Sequence, residues 1–286
     1  MGKYSRLRER LLAEAILTPY DLHVPPPASD VEILRCHEPA YLDRVVSGTL
    51  SAAEIRRIGF PWSMEMVERS RRSSGATIMA ARTALCGDGV SANLAGGTHH
   101  ACRDHGEGFC VFNDAAIAAR AMQAEGLARR VVVIDCDVHQ GNGTADIVKG
   151  DSSIFAFSIH GESNYPFRKI AGDLDIGLPD GTADGIYLDI VAEGTRRAIA
   201  LSGADLAIYI AGADPFVDDR LGKLAVSKHG LAQRDRIVLD LCRDAGLPLA
   251  IVMGGGYARD VDDIVDIHLQ TIRIASELTR TVQPSG

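Results

Sequence analysis

The sequence contains no Cys-x-x-Cys pair, no Gly-x-Gly-x-x-Gly leading into a helix and no Walker-type Gly-Lys-Ser/Thr. The last two absences argue against a dinucleotide or nucleoside-triphosphate loop. Cys36, Cys86, Cys102, Cys110, Cys136 and Cys242 are too sparse for a disulfide scaffold. Reduced thiols and a cytoplasmic location are therefore expected. No apolar run approaches the length of a bilayer span and no signal peptide is visible, so no membrane partner is expected. Positive charge is also scarce: 30 Lys and Arg stand against 38 Asp and Glu, a net charge of −8. Nothing basic is clustered enough to grip nucleic acid directly. An acidic surface is compatible with cationic partners such as Lys-rich peptides or polyamines. Linkers are lacking too. Pro25-Pro26-Pro27 is the sole proline cluster, too early to divide the chain, so residues 1–286 are expected to form one domain.

What is present is alternation. Val131–Asp135, Ile154–Ser158, Leu206–Ile210 and Leu249–Met253 are short apolar, β-branched runs. Helical patterns fall at Ala115–Ala124, Asp184–Leu201, Leu231–Ala245 and Val261–Leu278. Strands apolar on both faces, separated by amphipathic helices, predict an α/β fold with one parallel β-sheet sandwiched by helices. Ligands in such folds bind beyond the carboxyl ends of the strands. Asp135 to His139, Ser158 to His160, Gly212 to Asp214 and Gly254 to Tyr257 all fall there.

Those strand ends carry the chemistry. Asp135, Asp137 and His139 alternate with Cys136 and Val138, and on a strand residues two apart share a face. Asp214 follows a second apolar run and adds a carboxylate. Two carboxylates and one imidazole form a hard, three-ligand, open site suited to catalytic Zn²⁺ or Fe²⁺. Taken singly, each fragment reads as a polar strand end that caps a helix; the four together favour a metal site. Attack on an amide also needs a base, an acid and an oxyanion donor. His99 and His100 could supply the first two. Adjacent residues of a strand point to opposite faces, so this pair is expected on a bend or loop. Tyr257, after Gly254-Gly255-Gly256, could reach a carbonyl with its hydroxyl.

Five fragments occur in order: Gly96-Gly97-Thr98-His99-His100, Gly108-Phe109-Cys110-Val111-Phe112-Asn113-Asp114, Asp135 to Gly143, Ala213-Asp214 and Gly254 to Tyr257. Together they resemble the zinc-dependent histone deacetylase family of the arginase/deacetylase superfamily. Asp137 to Gly143 and Asp219 to Ser227 resemble its class IV branch and bacterial relatives. The resemblance implies an arginase-like α/β fold and hydrolysis of N-acyl-lysine in a protein or peptide. It implies zinc on Asp137, His139 and Asp214, and His100 as general base and acid. His99 would pair with Asp135 as electrostatic support, and Asn142 would face the second histidine. Tyr257 would polarise the acyl carbonyl, and Gly108 and Phe109 would line the lysine tunnel. The family's potassium site maps onto Asp135, Asp137, His139, Ser158 and Ile159.

Two departures stand out. Asn142 occupies a position where some branches carry Asp, which leaves the facing histidine less basic. The segment beginning Lys3-Tyr4-Ser5 resembles the family's first helix, before which relatives place a strand and a His/Pro-bearing loop. A chain lacking the family's first strand is the expectation. Ureohydrolases of the arginase type want Asp-x-His-x-Asp for two manganese ions, and Gly141 stands at the third position. Acetylpolyamine amidohydrolases, acting on acetylated polyamines, and a non-catalytic acyl-lysine-binding module are the remaining alternatives.

Overall fold

The computed structural model describes residues 2–87 and 89–282. Six strands form one sheet: β1 (Val90–Asn93), β2 (Val131–Asp135), β3 (Ile154–Gly161), β4 (Leu174–Leu178), β5 (Leu206–Gly212) and β6 (Leu249–Gly254). Their spatial order is β1-β6-β5-β2-β3-β4, and each neighbouring pair is parallel. The chain runs outward from β2 through β3 to β4, then returns to the other flank of β2 with β5 and β6. The order of progression thus reverses between β2 and β5. A crevice opens at such a switch point beyond the carboxyl ends of the strands.

The helices are α1 (Gly2–Ala13), α2 (Asp30–Ile33), α3 (Pro39–Ser47), α4 (Ala52–Ile58), α5 (Met64–Cys86), α6 (Asp114–Ala124), α7 (Asn142–Val148), α8 (Asp184–Ser202), α9 (Lys228–Asp244) and α10 (Val261–Val282). Strand alternation sorts them into two layers. Val132 and Ile134 of β2, Tyr209 of β5 and Ile251 of β6 pack with α1, α8, α9 and α10. Val131 and Val133 of β2, Ile208 of β5 and Val252 of β6 face α3, α5, α6 and α7. β2 and β5 are buried along their whole length, which explains their continuous apolar runs.

The predicted parallel sandwich is the observed one, with differences at its margins. β1 and β4 were not expected from the sequence. β1 carries two small polar residues in four positions, and β4 alternates exposed with partly buried residues. Both are edge strands. The 23-residue α5 was also unassigned; its Ser70, Ser73, Ser74 and Thr77 dilute the apolar stripe.

One buried charge ties the helical layer to the sheet. Arg234 of α9, fully buried, donates to the Gly212 carbonyl at 2.5 Å and to Asp235 at 2.7 Å. Asp235 also accepts from Tyr209 and Thr271, each at 2.6 Å. Removing one partner of a buried, hydrogen-bonded pair strands the other. Arg234→Met is therefore expected to lower stability by about 3–5 kcal/mol, read from the urea midpoint, and Arg234→Met/Asp235→Leu to recover part of it. A loss below about 1 kcal/mol in the single variant would show that the pair does not hold this layer.

Candidate active site

The central ligand-type cluster is not built on a strand. β2 ends at Asp135, and Asp137 and His139 lie on the bends beyond it. Convergence by strand alternation, the expectation above, is corrected: the turn's own hydrogen bonds bring these side chains together. The Asp137 amide donates to Asp135 Oδ1 at 3.1 Å, and the His139 amide to Asp137 Oδ1 at 2.9 Å. From beyond β5, Asp214 Oδ1 accepts the Val138 amide at 2.9 Å. His139 Nδ1 then stands 3.0 Å from Asp137 Oδ1 and 3.3 Å from Asp214 Oδ2.

Three observations fit a metal there. The three ligand atoms lie within 4.8 Å of one another, and all three residues are buried. Asp214 Oδ2, wholly buried, makes no hydrogen bond. Gly255, at φ +56°, passes so close that a Cβ would lie 2.0 Å from that same oxygen, so backbone alone can close this wall. Cys102, His105 and Glu107 form a second cluster of ligand types. Burial pushes the Cys102 thiol up to about 12, and Glu107 is already bonded to Asn142. That cluster is therefore a poor thiolate site.

His99 and His100 occupy a turn between β1 and α6, as expected. Asp114, the first residue of α6, holds the approach to it. Its carboxylate accepts from the Thr98 amide at 2.7 Å, the Thr98 hydroxyl at 2.6 Å and the Gly97 amide at 3.2 Å. The two imidazoles lie 4.2 Å apart, centre to centre, yet their partners differ. His99 Nδ1 meets Asp135 Oδ2 at 2.6 Å, and His100 Nδ1 meets Asn142 Oδ1 at 2.6 Å. Burial opposes charge on His99, but the Asp135 and Asp137 carboxylates prevail and push it to about 9. Burial, then the charge of His99, holds His100 well below its ordinary value despite the Asn142 hydrogen bond. The surroundings thus favour charge on one histidine and disfavour it on the other.

Tyr257 follows β6, its amide donating to Asp219 and its carbonyl accepting from Arg220 Nε at 3.0 Å. Its ring lies 5.6 Å from that of Phe109, and the Tyr165 ring stands edge-on to His100 at 5.1 Å. Phe109 (40% exposed) and Phe167 (89% exposed) bring apolar surface to the rim. Gly108 lies against His100, where a Cβ would approach the ring to 2.6 Å. The predicted Gly108–Phe109 segment and Tyr257 therefore meet over the histidine pair. Asp135 and Ser158 are paired across β2 and β3. Both line a cavity of ≈ 10 Å³, about the space of one water. Ile159, the other predicted potassium residue, is buried next to Ser158 on β3.

Sequence reasoning gave no site role to Glu107 or Tyr165, and placed Lys3 and Asp219 only within family-like segments. Lys3 Nζ, at the start of α1, donates to the Gly255 and Gly256 carbonyls. Tyr165 sits in a stretch with no regular pattern, although an aromatic beside Pro166 and Phe167 was a usable signal.

Fold and site define a parallel α/β protein with a buried two-carboxylate, one-imidazole metal-type centre at its topological switch point. The histone deacetylase domain model matches residues 1–272, and the chain belongs to that family, whose members include histone deacetylase-like amidohydrolases. It is 43% identical over 278 residues to an uncharacterized protein of Picosynechococcus sp., covering 97% of this chain and 92% of that one. It is 30% identical over 273 residues to the histone deacetylase-like amidohydrolase of Pseudomonas aeruginosa, covering 88% and 70%. Among solved structures, the HDA15 HD domain superposes with TM-score 0.78 at 24% identity, covering 96% of this chain and 81% of that one. The acetylpolyamine aminohydrolase of Burkholderia pseudomallei does so with TM-score 0.75 at 22% identity, covering 94% and 88%. These two likenesses bear on the fold.

Metal uptake by the metal-free protein has an expected proton signature. Burial disfavours charge on His139, but its contacts with Asp137 and Asp214 push it to about 10. Burial and the Asp137 charge raise Asp214 to about 6. The contacts thus favour the proton on the His139 ring over the Asp214 carboxylate, and a metal takes only the neutral imidazole. Binding one equivalent should thus release about one proton at pH 8, with affinity rising toward pH 10. Calorimetry in buffers of different ionisation enthalpy measures this; uptake without proton release would contradict the arrangement.

Proposed function

We propose that this protein is a metal-dependent amidohydrolase that removes acyl groups from N-acyl-lysine. The observation that carries the reading is the meeting of the Asp137–His139–Asp214 cluster, Tyr257 and two unlike histidines beneath one aromatic rim. Asp137, His139 and Asp214 would hold the ion, Zn²⁺ in the first instance and Fe²⁺ as the alternative. Such an ion, when bound, supplies Lewis-acid activation of water and of the acyl carbonyl. His100, neutral and with Nδ1–H committed to Asn142, keeps Nε2 free to take a proton and return it to the leaving amine. His99, hydrogen-bonded to Asp135, would support that step electrostatically. Tyr257, whose phenol burial holds above its ordinary value, stays protonated and can donate to the developing oxyanion. Phe109, Gly108 and Tyr165 would flank the lysine stem.

Several finer assignments belong to the same reading. The Asp137–Gly143 and Asp219–Ser227 segments support a class IV-like bacterial branch. Asp135, Ser158 and Ile159 would contribute to a potassium site. The six free cysteines suit a reducing, cytoplasmic setting, and among the described residues no helix is long and apolar enough to cross a membrane. The single sheet supports one catalytic domain.

Acetylated polyamines are the second substrate reading, favoured by 32% identity over 172 residues to acetylpolyamine amidohydrolase 2 of Pseudomonas aeruginosa. A panel of acetyl- to long-chain acyl-lysine peptides, assayed beside acetylated polyamines, separates the two. Activity on neither, with metal bound, would leave a binding module. Tyr257→Phe should keep metal and fold but lower kcat by about 10²-fold or more. Wild-type turnover in that variant would make Tyr257 a rim residue. A chelator should abolish activity without unfolding the protein, since a core of this size does not depend on the ion to fold; loss of the near-ultraviolet dichroism on chelation would contradict that.

A further inference from the structure

Asn142, the first residue of α7, divides its amide chiefly between two partners, with the Cys102 sulfur a third, longer contact of its nitrogen at 3.9 Å. Its oxygen accepts from His100 Nδ1 at 2.6 Å, and its nitrogen donates to Glu107 Oε1 at 2.6 Å. A side-chain amide can flip, exchanging oxygen for nitrogen at nearly the same place. Flipped, it would present hydrogen to His100 Nδ1. The imidazole would then have to accept there and carry its proton on Nε2, where a base needs a lone pair. What prevents the flip is Glu107. An ionised carboxylate has no hydrogen to give, so it pairs only with the NH₂ end.

Glu107 is itself held. Its side chain is 14% exposed, and its other oxygen lies 3.9 Å from His105 Nε2. His105 in turn meets Asp104 through Nδ1 at 2.5 Å. On the opposite side stands Tyr165: burial first, then the Glu107 charge, raises its phenol above the ordinary value. One half-buried carboxylate thus links the rim to the amide behind His100.

We propose that Glu107 is a positioning residue for the hydrolytic reaction: by accepting from Asn142 it fixes the amide, and through it the Nδ1–H tautomer of His100. This rests on the assignment of His100 as the base. It also accounts for an amide at position 142. An aspartate there would set two carboxylates against each other at the 2.6 Å now spanned by the Asn142–Glu107 hydrogen bond, a repulsion with no donor between them.

That matched pair makes the proposal testable by compensation. Each kcat is taken on the plateau of its pH profile, so that protonation of His100 does not enter. Glu107→Ala should lower kcat about tenfold with KM changing much less, the scale of one lost charge-assisted hydrogen bond. Glu107→Gln should lose a comparable amount, because its amide pairs with Asn142 in either orientation and so no longer fixes it. Asn142→Asp should be slow. Glu107→Gln/Asn142→Asp should be at least about tenfold faster than Asn142→Asp alone, since the amide introduced at position 107 can donate to the new carboxylate while that carboxylate still accepts from His100. A readout independent of turnover is the low-field Nδ1 proton of His100 in the NMR spectrum of the zinc-loaded protein. It should be sharp in the wild type and the double variant and broadened or lost in Glu107→Ala. If the wild type cleaves neither acyl-lysine nor acetylpolyamine, the functional reading fails while this resonance still decides the role of Glu107. The proposal is overturned by a double variant no faster than Asn142→Asp, or by an unchanged His100 resonance in Glu107→Ala. Should Glu107→Ala not fold, the near-isosteric pair of substitutions decides the question.

Discussion

The burial of two carboxylates side by side is the constraint around which the rest of this structure is arranged. Asp137 is 2% exposed and Asp214 is 0% exposed, where an uncompensated charge costs several kcal/mol or more. The amides of Val138 and His139 and the His139 ring supply donors, yet Asp214 Oδ2 remains without a hydrogen bond. The compensation available within the chain is therefore incomplete, and a bound cation would complete it. Gly255 lies against the same oxygen, and Arg234 anchors the Gly212 carbonyl at the end of β5. A misplacement of either strand end would leave charge buried without a partner.

The same economy of charge separates the two histidines. They are adjacent in sequence and their rings nearly touch, yet one faces Asp135 and the other a neutral amide. The imidazolium of His99 itself disfavours a second cation at His100. The pair thus divides its work through its partners, as paired titratable groups in hydrolytic sites commonly do.

Much of this was legible in the sequence because buried parallel strands announce themselves as apolar runs and functional side chains collect at their ends. β2, β3, β5 and β6 and the helices α6, α8, α9 and α10 followed from that alone, while the short α7 did not. The edge strands β1 and β4 did not, since a strand covered on one flank needs less apolar sequence. The site was legible where motif and strand end coincide, as at Asp137, His139, Asp214 and Tyr257. Strand alternation pointed to that cluster for an incorrect local reason, because bends beyond β2 make the convergence. The site was illegible where a residue acts through another. Glu107 has no periodic or motif signal of its own; its meaning lies in an amide 35 positions away. Lys3 reaches a glycine 252 positions away, a relation that local pattern cannot encode.

The reach of Lys3 to the glycines after β6 bears on how the molecule is made. During synthesis Asp137 and His139 emerge first, Asp214 later, and the Gly254–Gly256 wall later still. Closing so long a loop is entropically slow, and Lys3 must wait for the last strand before it has carbonyls to bind. A ribosome-bound chain halted after Asp214 would own all three side chains of the buried cluster but none of the glycine wall beside it. Were an ion held there, a nascent or C-terminally clipped molecule would lack the backbone wall that Gly255 sets against Asp214.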